Sequence, residues 1–335
     1  MRNMIYLLMT ISVYLTGMAS AAETPIKPWG KASLEGTWDF KNLTPLNRPE
    51  ELKDQEFLSA ERIAKIEADI KAGRADAQAR EGEVREGLDG QSDVDVGYNS
   101  GFLELANRWD GSNRTSLIVD PPNGRRPAMT AAARTRNQPY WYMQSLPPAG
   151  PEMRNLTDRC LTGFNNNPMV SGAYNNIMQI VQSDSHVVIH VEMVNDHRVI
   201  PTDGSGAVPN NGRFWKGFST GVWDGSTFVV TTTNFKPYAA PMGTGDNVVM
   251  TERFTRLDAD TLEYEWTIDD PDTYVAPFTA RQQMRRTTDD VYEYACHEGN
   301  YSLALALRAA RKQEVAGDSD DTWMPSWFRG YLGGN

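Results

Sequence analysis

Apolar and polar positions alternate most completely over residues 261–268. Leu262, Tyr264, Trp266 and Ile268 share one face, and Thr261, Glu263, Glu265 and Thr267 share the other. A period of two held over this length predicts a half-buried β-strand. Residues 248–257 are expected to pair with it across the short loop Asp258-Ala259-Asp260. Setting Leu257 opposite Thr261 brings Phe254 to Tyr264 and Glu252 to Trp266 on the apolar face. Arg253 and Thr255 then lie outside, beside Glu263 and Glu265. A slip of one residue would turn Arg253 inward and Phe254 outward, so the first register is preferred. It leaves Glu252 as an inward carboxylate among aromatic rings, an unusual place for a charge.

The same pattern continues on either side. Residues 176–182 and 186–194 read as a hairpin in which Val187, Ile189, Val191 and Met193 face the core. Val188, His190, Glu192 and Val194 face either a cavity or solvent. Residues 198–200 continue the run. Residues 220–223 and 227–235 form a hairpin across Asp224-Gly225, with Phe228, Val230, Thr232 and Asn234 on one face. Residues 278–286 and 291–297 are expected to make one more, turned at Thr288-Asp289-Asp290. Earlier in the chain, residues 34–40 and 116–119 predict short strands. Residues 59–86 predict a surface helix with the narrow stripe Ile63, Ile66, Ile70, and Pro127 opens a helix over 128–136. Residues 301–312 predict a closing helix, followed by a tail containing Trp323, Trp327 and Phe328.

Strands joined in sequence by short turns hide their edges most simply by closing. The expected fold is therefore mainly β: an antiparallel meander closing into a lipocalin-like up-and-down barrel, with an N-terminal helical cover and a C-terminal helix. A two-sheet β-sandwich is the alternative. The expected divisions are a signal peptide over 1–21, lead-in and helical cover over 22–150, the β domain over 151–301, and helix and tail over 302–335. Asp- and Gly-rich residues 87–101 read as a loop.

Export follows from the N-terminus. Arg2 precedes an apolar run over 4–18 and the small-residue site Ala19-Ser20-Ala21, the pattern of a secretory signal. The run is shorter than a spanning anchor needs, and no Cys follows to carry a lipid. The expected location is periplasmic or secreted, with no integral membrane segment after signal removal. An excess of 44 acidic over 33 basic residues argues against nucleic acid and anionic membranes as partners and leaves a small-molecule ligand. The two cysteines, Cys160 and Cys296, are expected to be bonded in an exported chain, with two buried thiols as the alternative.

The segments Trp223-Asp224-Gly225, Thr251-Glu252-Arg253-Phe254-Thr255-Arg256, Ile268-Asp269-Asp270-Pro271 and Tyr294-Ala295-Cys296-His297-Glu298-Gly299-Asn300-Tyr301 resemble a family of exported bacterial proteins. The resemblance spans residues 115–301. It carries no activity with it, so it implies no catalytic roles. It departs at Asn195, where that family often has His.

Candidate chemistry comes from the residues alone. His297 and Glu298, with Glu252 or Glu192 opposite, have the types needed for general acid/base work, because a histidine beside a carboxylate titrates near neutrality. His190, Glu192, Arg198, Asn234, Tyr264 and Trp266 are candidate substrate-binding residues, while Trp215 and Trp223 read as core. With four histidines and no H-x-x-x-H spacing, no metal site is expected. No G-x-S-x-G elbow, P-loop or dinucleotide fingerprint is present, and no cofactor is expected. Three functions remain open: a cofactor-independent lyase, isomerase or hydrolase acting on an amphipathic or glycosidic ligand in the barrel; a lipocalin-like carrier without turnover; and an envelope protein whose polar cluster is only a clamp.

Overall fold

The computed structural model describes residues 24–79, 106–164, 166–206 and 212–316. The expected signal peptide, the loop over 87–101 and the aromatic tail lie outside these residues. Ten strands appear in order: β1 (Gly36–Asp39), β2 (Ile118–Asp120), β3 (Ile177–Gln182), β4 (His186–Val191), β5 (Asp196–Pro201), β6 (Phe218–Asp224), β7 (Thr227–Thr233), β8 (Val249–Arg256), β9 (Thr261–Asp269) and β10 (Phe278–Arg286). They form one antiparallel sheet in the order β5-β4-β3-β1-β10-β9-β8-β7-β6, with β2 added beside β10.

The sheet curls until its two edges nearly meet. Asp203, just past β5, bridges to Val222 of β6, and the Gly204 amide donates to the Gly221 carbonyl at 2.9 Å. The result is a nearly closed barrel rather than two packed sheets. Gly221 makes the approach possible: a Cβ there would fall 2.2 Å from the Phe228 ring and 3.1 Å from the Ile200 side chain. The adjoining hairpin turns at Gly225, whose φ of +61° is the left-handed conformation that a two-residue loop asks of its first residue.

The expected register between β8 and β9 is the observed one, with Phe254 opposite Tyr264, Glu252 opposite Trp266 and Arg253 opposite Glu265. Glu252, Phe254 and Tyr264 are fully buried. Val187, Ile189 and Val191 likewise face inward, as the alternation of β4 requires. Inward-facing Trp38, Met178, Phe228, Met250, Trp266 and Met284 crowd the lumen, each at most 1 % exposed.

Two expectations are corrected. Residues 291–297 do not form a strand, because β10 is already paired on one side by β9 and on the other by β1 and β2. β1, from the stretch read as lead-in, fills the gap between β3 and β10. The helix expected over 128–136 starts later and runs longer. Helix α1 is Ala60–Ala79, α2 is Ala131–Ser145 and α3 is Tyr301–Ala316. Thr130, not Pro127, opens α2, its hydroxyl accepting from the Ala133 amide at 3.0 Å. Of the isoleucine stripe of α1, Ile63 and Ile66 pack with Leu58 and Trp109 in a small cluster apart from the barrel core, and Ile70 is not part of it.

Candidate functional site

Strands β4, β7, β9 and β1 end, and β3, β5, β6, β8 and β10 begin, at one rim of the barrel. Residues 32–34 cross the opposite rim: the Gln182 side chain accepts from Leu34 N at 3.0 Å and donates to Ala32 O at 3.1 Å, and Arg256 donates to Ser33 O at 3.1 Å. At the first rim, residues 166–169 dip into the barrel. The Met169 amide donates to the Tyr264 hydroxyl at 3.3 Å, and Gln282 donates to Met169 O at 2.9 Å. Asp196 clamps this plug, accepting from Thr162 at 2.8 Å and Asn166 at 2.9 Å while paired with Lys216.

The backbone is strained around that rim. Among the described residues, eight non-glycine residues have φ near +50° to +62°, and seven of them lie there: Cys160, Asn175, Val194, Asn195, Asn234, Tyr238 and Met242. Such conformations cost free energy and persist where surrounding structure enforces them, as it does around binding sites; for β-branched Val194 the cost is largest.

Outside the plug at this rim is a cleft of about 540 Å³, a size suited to a small organic ligand. Phe164, Tyr174, Trp215 and Tyr238 supply its aromatic walls, and Asn155 and Asp158 supply polar groups. Trp215 is held by two cations, Lys236 at 4.4 Å and Arg159 at 5.5 Å from its ring. Tyr238 stacks on Tyr140 of α2 at 4.6 Å, and Phe164 meets Tyr174 edge-on at 6.0 Å. Phe164 and Tyr238 are more than half exposed; Tyr140 covers one face of the Tyr238 ring and leaves the other available to a ligand. A second cleft of about 470 Å³ shares Thr157, Asp158 and Tyr174 with the first and adds Glu293, Cys296 and Asn300. Cys160 and Cys296 are bonded, their Cα atoms 5.8 Å apart, which fixes the wall between the two. Asn300 strengthens it by donating to Asp158 O at 2.7 Å.

The residues singled out from sequence fall into three groups. Glu252, Arg198, Tyr264 and Trp266 meet inside the barrel. Arg198 grips both oxygens of Glu252, Nη1–Oε2 at 2.5 Å and Nη2–Oε1 at 2.8 Å, and the Tyr264 hydroxyl donates to Oε1 at 2.7 Å. Burial alone would lower the Arg198 pKa, but the Glu252 charge and its hydrogen bonds hold it well above the ordinary value. His297 and Glu298 lie on the exposed turn after the disulfide and make no contact with this cluster. Glu192 and His190 sit on the outer side of the barrel. Glu192 is 2 % exposed, and its Oε1 accepts from the Tyr292 amide at 3.1 Å. Asn234 leaves the end of β7 and donates to Gly212 O at 3.1 Å, beside a separate shallow cleft. No single pocket collects the three acid/base candidates. Among the described residues, no group of three or more His, Cys, Asp or Glu could hold a metal.

Burial first, and then the neighbouring Glu252 charge, push the Tyr264 hydroxyl well above its ordinary range. Its folded pKa exceeds its unfolded one, so its contribution is complete below about pH 10 and is lost as pH rises through the folded value. Tyr264→Phe is therefore expected to lower stability by about 1.5–3 kcal/mol at neutral pH through the lost bond to a charge. It should also make the alkaline fall in denaturation midpoint shallower. An alkaline limb identical to that of the parent would exclude Tyr264 as a contributor.

No family model, curated protein or solved structure matches the chain.

Proposed function

We propose that this is an exported, periplasmic or secreted binding protein that carries an amphipathic or glycosidic small molecule in the rim cleft without turning it over. The observation that carries this reading is the aromatic lining of the cleft, in which exposed Phe164 and Tyr238 and half-buried Trp215 stand beside the polar groups of Asn155 and Asp158. Flat apolar faces with polar groups at their margin suit a ring that is apolar on its faces and hydroxylated at its edge. Turnover by acid/base chemistry needs two ionisable groups converging on one open space. Of the acid/base candidates, Glu252 has both oxygens engaged in the packed interior and His297 and Glu298 line neither rim cleft; the second cleft holds the carboxylates Asp158 and Glu293 with no histidine in its lining. Export is supported by the disulfide and the signal-like N-terminus; no helix among the described residues is long and apolar enough to cross a membrane.

The test is a calorimetric and tryptophan-fluorescence titration of the chain with a panel of oligosaccharides and amphipathic glycosides. At least one member should bind. Trp215→Ala should weaken it tenfold or more, about 1.4 kcal/mol, with a thermal midpoint within a few degrees of the parent. Mass spectrometry of the incubated ligand should show it unchanged. A new product abolished by His297→Ala would replace the carrier with an enzyme, and binding indifferent to Trp215→Ala would move the site elsewhere.

A further inference from the structure

The outer face of β4 and β5 carries chemistry that the cleft does not use. His190 of β4 and His197 of β5 are register partners, directly opposite each other across an antiparallel pair. Opposite residues share a face and hold their Cβ atoms about 4.5–5.5 Å apart. The face is the outer one: Ile189 and Val191 of β4 and Asp196 and Ile200 of β5 are buried, whereas His190 is half-exposed and His197 exposed.

The two rings are prepared differently. His190 Nε2 lies 2.8 Å from Asn195 Oδ1, an amide oxygen that can only accept. Nε2 therefore carries the proton, and the Nδ1 lone pair is left free. An imidazole whose second nitrogen donates to an oxygen acceptor is the usual arrangement of a metal-ligating histidine: the bond fixes the tautomer and makes the ligating nitrogen more basic. Asn195 holds its position at φ +50°, one of the strained conformations of the rim. The His197 ring has no hydrogen-bond partner among the described residues, while its carbonyl is tied by Lys216 at 2.9 Å, which fixes the backbone from which the ring projects.

We infer that His190 and His197 form an exchangeable two-imidazole site for a first-row divalent cation, with Asn195 as its positioning residue and water filling the remaining positions. Imidazole nitrogens favour copper, nickel and zinc over magnesium or calcium, and the order of affinities puts Cu(II) first. With two protein ligands this is an open surface site, distinct from a resident structural or catalytic centre, which takes three or four.

The experiment is titration of the untagged chain with CuCl2, NiCl2 and ZnCl2 in a non-coordinating buffer, read by calorimetry, with the electron paramagnetic resonance of bound Cu(II) counting nitrogen ligands. The expected result is one Cu(II) site with two imidazole nitrogens, tighter than nickel or zinc and unaffected by excess magnesium. His190→Gln and His197→Gln should each weaken copper at least tenfold, while His186→Gln, on the same strand, should not. Asn195→Gly relaxes the backbone but removes the acceptor, and should cost about tenfold. Asn195→Asp, which can only accept, should retain the site. Circular dichroism of each variant guards against loss of fold, since all three histidines are on the surface. Absence of copper binding, binding unchanged in the His190→Gln, His197→Gln double variant, or equal loss on His186→Gln would overturn the assignment.

Discussion

Glu252→Gln is expected to destabilise the fold by about 3–5 kcal/mol. The size of the effect comes from what remains behind. Glu252 is fully buried and the Arg198 side chain is 9 % exposed, so the guanidinium loses its counter-charge where water cannot replace it. Position matters as well. Among the described residues β5 and β6 share no continuous ladder: they meet at Asp203–Val222 and Gly204–Gly221, Lys216 just before β6 reaches Asp196 and the His197 carbonyl, and the Arg198–Glu252 pair links β5 to β8 across the lumen. Gln keeps the volume and one acceptor for Tyr264, so packing is nearly unchanged and the loss is electrostatic. Denaturant titration at neutral pH measures it. Replacing both partners by methionine should recover most of the loss, because a buried ion pair exchanged for apolar side chains of similar size is often neutral. A Glu252→Gln variant within 1 kcal/mol of the parent would show that Arg198 is solvated in solution and that the pair does not close the barrel.

Glu252 also shows how far the sequence could be read. Its inward direction was legible because only one register keeps Phe254 and Tyr264 together and Arg253 outside, and an error of one residue would have reversed every side chain. A four-residue strand such as β1 carries no comparable pattern. Its partners begin at Ile177 and Phe278, far along the chain, so its insertion between β3 and β10 depends on distant contacts that local alternation cannot encode. The failure at residues 291–297 has the same origin: the turn residues Thr288-Asp289-Asp290 suggest a hairpin, but β10 is already paired on both sides, and the Tyr292 amide binds the Glu192 carboxylate instead. The cleft was less legible still. Trp215 reads as core because a tryptophan usually is, and Phe164 and Tyr238 stand in loops with no period to mark their exposure. The cations flanking Trp215, Arg159 and Lys236, are brought to it from different parts of the chain.

Reduction of the Cys160–Cys296 bond is expected to have an effect as large as the loss of Glu252 and to fall on a different part of the molecule. The bond closes a loop spanning 136 positions, and the chain-entropy account puts its contribution at about 5 kcal/mol, as an upper figure. For a chain of this size that corresponds to a fall of the thermal midpoint on the order of 10 °C. The loss should also be local in its structural consequence. β8, β9 and β10 are held by continuous ladders and a packed interior that do not include either cysteine. The loop over 155–164 and the turn before α3 are tied to each other by the bond, by Asn300 to Asp158, and by little periodic structure. Hydrogen exchange on the Cys160→Ser, Cys296→Ser variant should therefore accelerate most over 155–164 and 296–310, and in β8–β10 only as far as the lowered global stability requires. Both rim clefts are walled by these segments, so a ligand bound by Trp215 should also be weakened in the reduced protein. Calorimetry with and without reductant measures the stability term, and alkylation of the denatured chain confirms the state of the thiols. A midpoint shift below about 2 °C, or exchange that quickens uniformly across the barrel, would sink the idea of a local brace: the first would leave the bond without weight, and the second would make it part of the global fold.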